Sequence, residues 1–312
     1  MAQLELPQRE VTQLHDNASR RQLVSSSFAI LGLLVILIAL VVLLALVLSL
    51  FVQGAPRLTW QFFTSFPSGD PLQAGILAAW VGSLLVMFAT MIIAIPLGVA
   101  AGIYLEEYAS KNWLSALIEI NVTNLAGVPS IVYGLLALGF FNQTLGLGES
   151  IVTAGLTLAL LILPIVIVTT REALRAIPNL LREAAYALGA SKWQMIWDHI
   201  LPYSFGSILT GIIIGLSRAI GETAPLITIG ALTFIAFLPP LPIQPTFPFI
   251  SFEWLKAPFT VMPIQMFNWV SRPEQEFQVN AAAAGVVLIF MTLALNGLAI
   301  YLRYRFRKGI KW

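Results

Sequence analysis

The sequence predicts an all-α fold, a polytopic membrane helix bundle with six transmembrane helices. Hydrophobic residues make up 58% of the 312 residues and charged residues only 10%, far below the roughly 25% charged residues of soluble domains. Mean hydropathy is +0.86. The apolar residues also fall into runs of about 20 or more, the length that a helix needs to cross a bilayer. We therefore expect contact with membrane lipid along most of the chain and no soluble domain.

The first two spans follow a polar N-terminal segment. Residues 1–27 predict a cytoplasmic tail that is partly disordered, and the apolar run 28–51 is long enough to be the first span. A proline-containing outer loop then leads to the second span, residues 75–105. Pro96 lies inside this span, so we expect a kink or a tilt there.

The third predicted span, residues 114–141, is unusual because it carries polar residues and helix breakers. Such groups are tolerated at membrane depth only against protein or a water-filled path. We therefore predict that Asn124 and Ser130 line a pathway. For Glu119, which lies within a turn or two of the membrane surface, we favour a capping role at the inner end.

Three further spans are predicted in the second half of the chain. They are residues 151–170, a helix that begins near Tyr203, and residues 277–302. The outer loop 238–276 predicts a rigid cap over the helices, or a surface that receives a substrate-binding protein. Basic residues cluster before the first span, between the fourth and fifth, and after the last. By the positive-inside rule, both termini are therefore cytoplasmic.

One long amphipathic interval, residues 182–202, lies between the fourth and fifth spans. Asn179 is a candidate N-cap, and Gly189 can end a helix in the left-handed conformation. Ser191 can cap a second helix, which we expect Pro202 to stop. The pattern thus predicts two short helices hinged at a glycine. A loop that lies in the membrane interface, anchored by tryptophans, is the alternative.

This interval contains a spaced motif, EAA, three residues, G, and later LP. The motif resembles the EAA motif of ABC importer permeases, although His199 stands where that family favours an aliphatic residue. In the family, the loop docks on a cytoplasmic ATPase, so the resemblance implies that role here. The ATPase-coupling residues that it implies are Glu183, Ala184, Ala185, Gly189, Leu201 and Pro202.

A charged pair is predicted inside the fifth span, where Glu222 follows Arg218 at i+4. An ionisable residue at membrane depth is costly unless it is paired or hydrated. One interpretation is an ion pair that fixes helix packing. The other is a pathway in which Arg218, with Glu222 and Thr223 beside it, offers an oxyanion a fixed positive charge and a planar donor fork.

Three segments resemble the PstA family of permease subunits of bacterial phosphate importers. They are VPSIVYG (128–134), GETAPL (221–226) and MPIQMFNWVSRPEQEF (262–277). The resemblance implies the type I ABC importer permease (MetI-like) fold and phosphate as substrate. It also implies four kinds of contact: a second, PstC-like permease, two PstB-like ATPase subunits, an external PstS-like phosphate-binding protein, and the bacterial inner membrane. It divides the chain into residues 1–74, a permease domain at 75–303 and a basic tail at 304–312.

Several other functions are disfavoured by the sequence. It contains no GxxxxGK[ST], so we expect ATP to be bound by partner subunits and predict no cofactor and no enzyme activity for this chain. There is no cysteine, the two histidines lie far apart, and the basic residues flank apolar spans, so we predict neither a metal site nor nucleic-acid binding. A secondary anion transporter or channel, with Arg218 and Glu222 as a charge relay, is the alternative function.

Overall fold

The structure is a computed structural model that describes residues 8–110, 112–240 and 251–307. Within these ranges every regular element is a helix, as predicted. The chain forms two compact units, one that ends at Val52 and one that begins at Gln53. The middle of the predicted outer loop and the end of the predicted basic tail lie outside the described residues.

Helix α1 covers Gln8–Gly54, and its residues up to Val52 belong to the first unit. The side chains of its apolar stretch are mostly exposed, as expected of a helix that faces lipid. The prediction of a partly disordered tail is wrong for residues 8–27, which are helical. That segment contains no glycine or proline to interrupt a helix that propagates from the apolar run.

In the part of the second unit that the structure describes, four helices are long and uninterrupted. They are α3 (Leu77–Ile103), α6 (Ile151–Arg175), α9 (Leu201–Gly221) and α12 (Gln275–Arg307). A short helix, α2 (Trp60–Thr64), precedes α3. The helix α3 continues through a wide π-helical turn, Tyr104–Tyr108, and Pro96 lies within it. Two shorter helices, α10 (Ala224–Thr228) and α11 (Met262–Val270), lie between α9 and α12.

The third predicted span is bent rather than straight. Its first part is α4 (Trp113–Leu125), and its second part is α5 (Ser130–Ala137), which continues to Thr144 at 104° to α4. Pro129 explains the break, because it lacks an N–H group and disfavours helical geometry at the preceding residue. If the bent pair is counted as one span, the described residues contain six spans with the five uninterrupted ones, which agrees with the six predicted.

The amphipathic interval forms a two-helix loop, residues 179–200. The helix α7 covers Asn179–Ala187, and Gly189 then adopts φ +83°, so the predicted left-handed helix end is confirmed. The predicted N-cap is wrong. Asn179 is the first residue of α7, and Pro178 occupies the capping position without a side-chain hydrogen bond.

The second helix of the loop is not short, because it runs into the fifth span. Ser191 caps α8 (Lys192–Gln194), as predicted, and also forms a capping box with Gln194. A π-helical turn, Met195–Ile200, then joins α8 to α9. In this turn the N–H of Leu201 donates to the carbonyl of Ile196, five residues back. Pro202 therefore lies in the first turn of α9 and does not end the helix, contrary to prediction.

Close packing in the second unit depends on small residues. The helix α6 packs against α3 and against α9. A Cβ at Gly98 of α3 would lie 2.7 Å from the Val166 side chain, and one at Gly155 of α6 would lie 2.7 Å from Ala89. Neither glycine therefore has room for a side chain, which is typical of closely packed membrane helices.

Candidate coupling and translocation sites

One face of the two-helix loop is buried against the bundle. Ala185, the second alanine of the motif, is 5% exposed and packs in an apolar cluster with Leu174 of α6 and with Met195, Ile196 and Ile200. A small side chain at position 185 lets α7 lie close to this cluster. The motif alanine is thus a packing residue.

The opposite face of the loop is exposed. Glu183, Ala184 and Gly189 are exposed, whereas Leu201 and Pro202 are half-buried. The exposed apolar side chains are Leu180, Tyr186, Leu188, Trp193 and Trp197, and the two tryptophan rings stack at 5.5 Å. Exposed apolar surface of this kind marks a site that is covered by a partner or by lipid.

Charged side chains attach the loop to the end of α3. Arg182 of α7 forms an ion pair with Glu107 at 2.8 Å and also donates to the backbone carbonyls of Leu174 and Ile177. The ammonium of Lys192 lies 4.8 Å from the centre of the Tyr108 ring. Both helices of the loop therefore contact the same π-helical turn, Tyr104–Tyr108.

A second group of ion pairs joins α6 to that turn and to α4. Arg171 lies 2.9 Å from Glu119 and 3.6 Å from Glu106, and Arg175 lies 3.0 Å from Glu106. A cavity of about 380 Å³ adjoins these pairs. The Glu119 carboxylate is thus in an ion pair with Arg171, and the predicted capping role is corrected. We name these four residues, with Glu107 and Arg182, the arginine–glutamate network.

Sequence reasoning missed this network because it assigned the arginines to membrane topology. A signal was present in the spacing. Arg171 and Arg175 lie at i and i+4, which places both on one face of a helix. Glu106 and Glu107 are the only adjacent pair of acidic residues, at the end of the preceding uninterrupted span.

The predicted charged pair forms where α9 ends. The Nε atom of Arg218 lies 3.2 Å from Oε1 of Glu222, and their side chains are 38% and 18% exposed. The helix stops at Gly221, and Glu222 has an extended backbone. The pair therefore forms across a helix end, and not along the continuous helix face that the i+4 spacing suggested.

The other predicted pathway residues lie at two places. The carbonyl of Thr223 accepts hydrogen bonds from the N–H groups of Leu226 and Ile227, at the start of α10. Asn124 is exposed near the end of α4, and Ser130 is half-buried at the start of α5. Within the described ranges, no hydrogen bond joins either side chain to the Arg218–Glu222 pair.

The helix α5 nevertheless lies directly against α10. A Cβ at Gly134 would lie 2.7 Å from Cα of Pro225 and would also meet the Thr228 hydroxyl. The Tyr133 hydroxyl donates to the carbonyl of Leu125 at 2.7 Å, across the bend between α4 and α5. The second half of the bent span is thus packed next to the segment that carries Glu222.

Two polar contacts set the register of α9 against α12. The Ser217 hydroxyl donates to Oδ1 of Asn296 at 2.6 Å, and Arg303 donates to the Thr210 hydroxyl at 2.8 Å. The contacts are seven residues apart on both helices, as antiparallel packing requires. The first contact holds Ser217, the residue that precedes Arg218. Sequence reasoning missed Asn296.

Comparison with known proteins decides the family. The model of the family "Binding-protein-dependent transport system inner membrane component" matches residues 94–312. The chain belongs to this family. It is therefore a multi-pass membrane protein, as predicted.

Two curated relatives illustrate the similarity. The phosphate transport system permease protein PstA of Yersinia pestis is 37% identical over 262 residues, which cover 80% of each chain. A probable ABC transporter permease, YqgI of Bacillus subtilis, is 31% identical over 252 residues, covering 79% of this chain and 84% of the relative. The resemblance to permease subunits that the motifs carry is thus confirmed.

Solved structures confirm the fold. A bacterial alginate ABC transporter chain superimposes with a TM-score of 0.63 at 14% identity, covering 95% of this chain and 99% of that one. A chain of the methionine ABC transporter MetNI gives a TM-score of 0.53 at 16% identity, covering 72% and 90%. The predicted type I, MetI-like permease fold is therefore correct.

Proposed function

We propose that this chain is the PstA-type permease subunit of an ATP-driven phosphate importer. The observation that carries the proposal is the Arg218–Glu222 pair at the end of α9, in a family member whose relatives include several proteins named PstA. In this function, Arg218 contacts phosphate as it crosses the membrane. Glu222 orients the arginine, and Thr223 lies beside it.

The geometry of Arg218 supports contact with an oxyanion. Its Nε atom is paired with Glu222, and within the described part of the chain its two terminal nitrogens have no hydrogen-bond partner. These nitrogens form the fork that binds two oxygens of one phosphate. Because Glu222 already balances the charge, the empty site holds no bare cation, and phosphate is not retained too tightly to leave.

A complete pathway requires a second permease subunit, which we propose is PstC-like. Asn124 and Ser130 then line the pathway between the two permeases, and the exposure of Asn124 in the single chain supports this role. A PstS-like binding protein delivers phosphate on the outer side. Selection of phosphate over sulfate rests mainly on that protein, since one arginine distinguishes the two anions poorly.

Energy comes from two PstB-like ATPase subunits that bind ATP. The exposed face of the two-helix loop, with Leu188 at 89% exposure, is the surface that docks on them. The loop and both termini then lie in the cytoplasm. Because Lys192–Gly221 is one continuous helical run, a displacement of the loop moves Arg218 and switches access from one side to the other.

The experiment is phosphate uptake by the reconstituted four-component importer carrying Arg218→Gln. We expect uptake to be lost while the complex assembles normally, because glutamine supplies neither the charge nor the fork. Arg218→Lys is the matched variant, which keeps the charge and should retain part of the uptake. Wild-type uptake by Arg218→Gln would leave the pair only a packing role, and uptake without the ATPase would favour the secondary transporter.

A further inference from the structure

The arginine–glutamate network connects the two-helix loop to the bent span. Its central feature is a pair of consecutive carboxylates, Glu106 and Glu107, in the π-helical turn that follows α3. Glu107 pairs with Arg182 of α7, and Glu106 pairs with Arg171 and Arg175 of α6. Two adjacent residues thus bind arginines from two different elements.

The connection to the loop is well satisfied. Arg182 donates from both Nε and Nη2 to Oε1 of Glu107, at 3.3 and 2.8 Å. The side chain of Glu107 is 7% exposed, and that of Arg182 is 16% exposed. Pairs that are this shielded from water are screened less by salt than surface pairs, and breaking one leaves an uncompensated charge.

The connection to the bent span depends on Arg171. Its side chain is 10% exposed and lies 2.9 Å from Glu119, the only charged residue of α4. No residue of α4 is buried, so apolar packing within this chain does little to hold that helix. The ion pair between Glu119, 44% exposed, and Arg171 is a direct charged contact between α4 and α6.

Beyond α4, the contacts continue to the charged pair at the end of α9. The Tyr133 hydroxyl binds the last carbonyl of α4 across the bend. Gly134, the next residue, packs on Pro225 and Thr228 of α10. Glu222 lies two residues before α10 begins, so this series of contacts ends close in sequence to the partner of Arg218.

We propose that the arginine–glutamate network is the mechanical link between the two-helix loop and the bent span, with Glu119 and Arg171 as positioning residues for transport. This inference rests on the proposed function. When the loop moves, Arg182 displaces the turn through Glu107, and Glu106 displaces Arg171, which carries α4 with it. The bent span and α9 are thereby driven together from one loop.

The test measures the movement of α4 directly. The chain contains no cysteine, so cysteines introduced at Ile120 of α4 and Leu298 of α12, both 57% exposed, are its only labelling sites. Pulsed electron paramagnetic resonance then gives the distance between the two labels in the full importer, with and without trapped nucleotide. Uptake of phosphate per ATP hydrolysed is measured on the same samples.

We expect nucleotide to change the distance in the otherwise unchanged chain and to leave it unchanged in Glu119→Gln, which still assembles and hydrolyses ATP. Phosphate uptake per ATP should fall by roughly fivefold or more. In a double-mutant cycle, the variant that carries both Glu119→Gln and Arg171→Gln should lose no more phosphate uptake per ATP than either single variant. Glu172→Gln, an exposed position on α6 outside the network, is the matched control and should behave normally.

Two outcomes would overturn the proposal. One is a distance change in Glu119→Gln as large as in the parent, and the other is no change in the parent itself. If Glu119→Gln does not assemble, Glu107→Gln breaks the opposite end of the link. This variant must then lose both the nucleotide-dependent distance change and the phosphate uptake per ATP. Failure of the proposed function is recognised separately, because the parent importer then shows no ATP-dependent phosphate uptake.

Discussion

The two-helix loop and the end of α9 are attached to the bundle in different ways. The loop is held by long charged side chains, such as Arg182 on Glu107 at 2.8 Å, and by a small apolar cluster. The region around Arg218 is held by backbone contact, because Gly134 of α5 leaves no space between α5 and α10. One attachment is adjustable and the other is rigid.

This difference suggests a division of labour. Long side chains can rotate and keep an ion pair while two helices change their mutual angle, so the loop can move and still pull on the turn, whereas close-packed backbones hold one fixed arrangement. Changes at the glycine contacts should therefore damage assembly. Changes in the loop should damage coupling and leave the bundle folded.

The largest effect is expected for Gly134→Val, which disrupts the close contact between α5 and α10. A valine has no space beside Pro225 and Thr228, and overpacking of this kind costs about 1–3 kcal/mol or more. We expect a lower thermal unfolding midpoint of the detergent-purified subunit and little assembled complex. The matched control is Gly139→Val, where a Cβ meets nothing within 4 Å. Equal stability of the two variants would contradict the rigid contact.

A smaller effect is expected for Gly189→Pro, which changes the turn between the two helices of the loop. Gly189 has φ +83° and its N–H donates to the Tyr186 carbonyl, whereas proline requires φ near −65° and has no N–H. We expect the bundle to remain folded and ATP hydrolysis to continue without phosphate uptake. Gly189→Asn, which tolerates the left-handed conformation, should keep most of the coupling. Normal phosphate uptake per ATP in Gly189→Pro would show that coupling does not require the left-handed turn at Gly189.

The smallest effect is expected for Ser191→Ala, which removes one cap from the loop. The Ser191 hydroxyl accepts from the N–H of Gln194, and loss of such a cap costs about 1 kcal/mol. Hydrogen exchange at the first amides of α8 should therefore accelerate by about fivefold, since that factor corresponds to 1 kcal/mol. Ser191→Thr retains the oxygen and should exchange at the parent rate. Unchanged exchange in Ser191→Ala would show that packing alone holds α8.

The sequence predicted features that depend on nearby residues. The positive φ of Gly189 and the cap at Ser191 involve atoms within four positions, so a local pattern is sufficient. The charged pair of Arg218 and Glu222 was found for the same reason. The break at Pro129 also had a local cause, but its angle of 104° depends on the packing of α5 against α10, which no local pattern contains.

The errors came from two sources. Pro202 was expected to end a helix because the rule for proline describes α-helices, and the π-helical turn before it changes the hydrogen-bond spacing. The arginine–glutamate network was missed because its partners are distant in sequence. Arg175 and Glu106 are 69 positions apart, and Arg182 and Glu107 are 75 apart, so only the tertiary fold brings them together.

The consecutive carboxylates Glu106 and Glu107 restrict how this part of the chain can change in length. One inserted or deleted residue before them would rotate both side chains by about 100° around the helix axis and separate each from its arginine. In the glycine-rich connection at residues 145–150, a Cβ at Gly146 or Gly148 would face open space, and the hydrogen bonds of this connection join residues at most six positions apart. Length variation among homologous chains should therefore collect in that connection and be absent from the turn after α3.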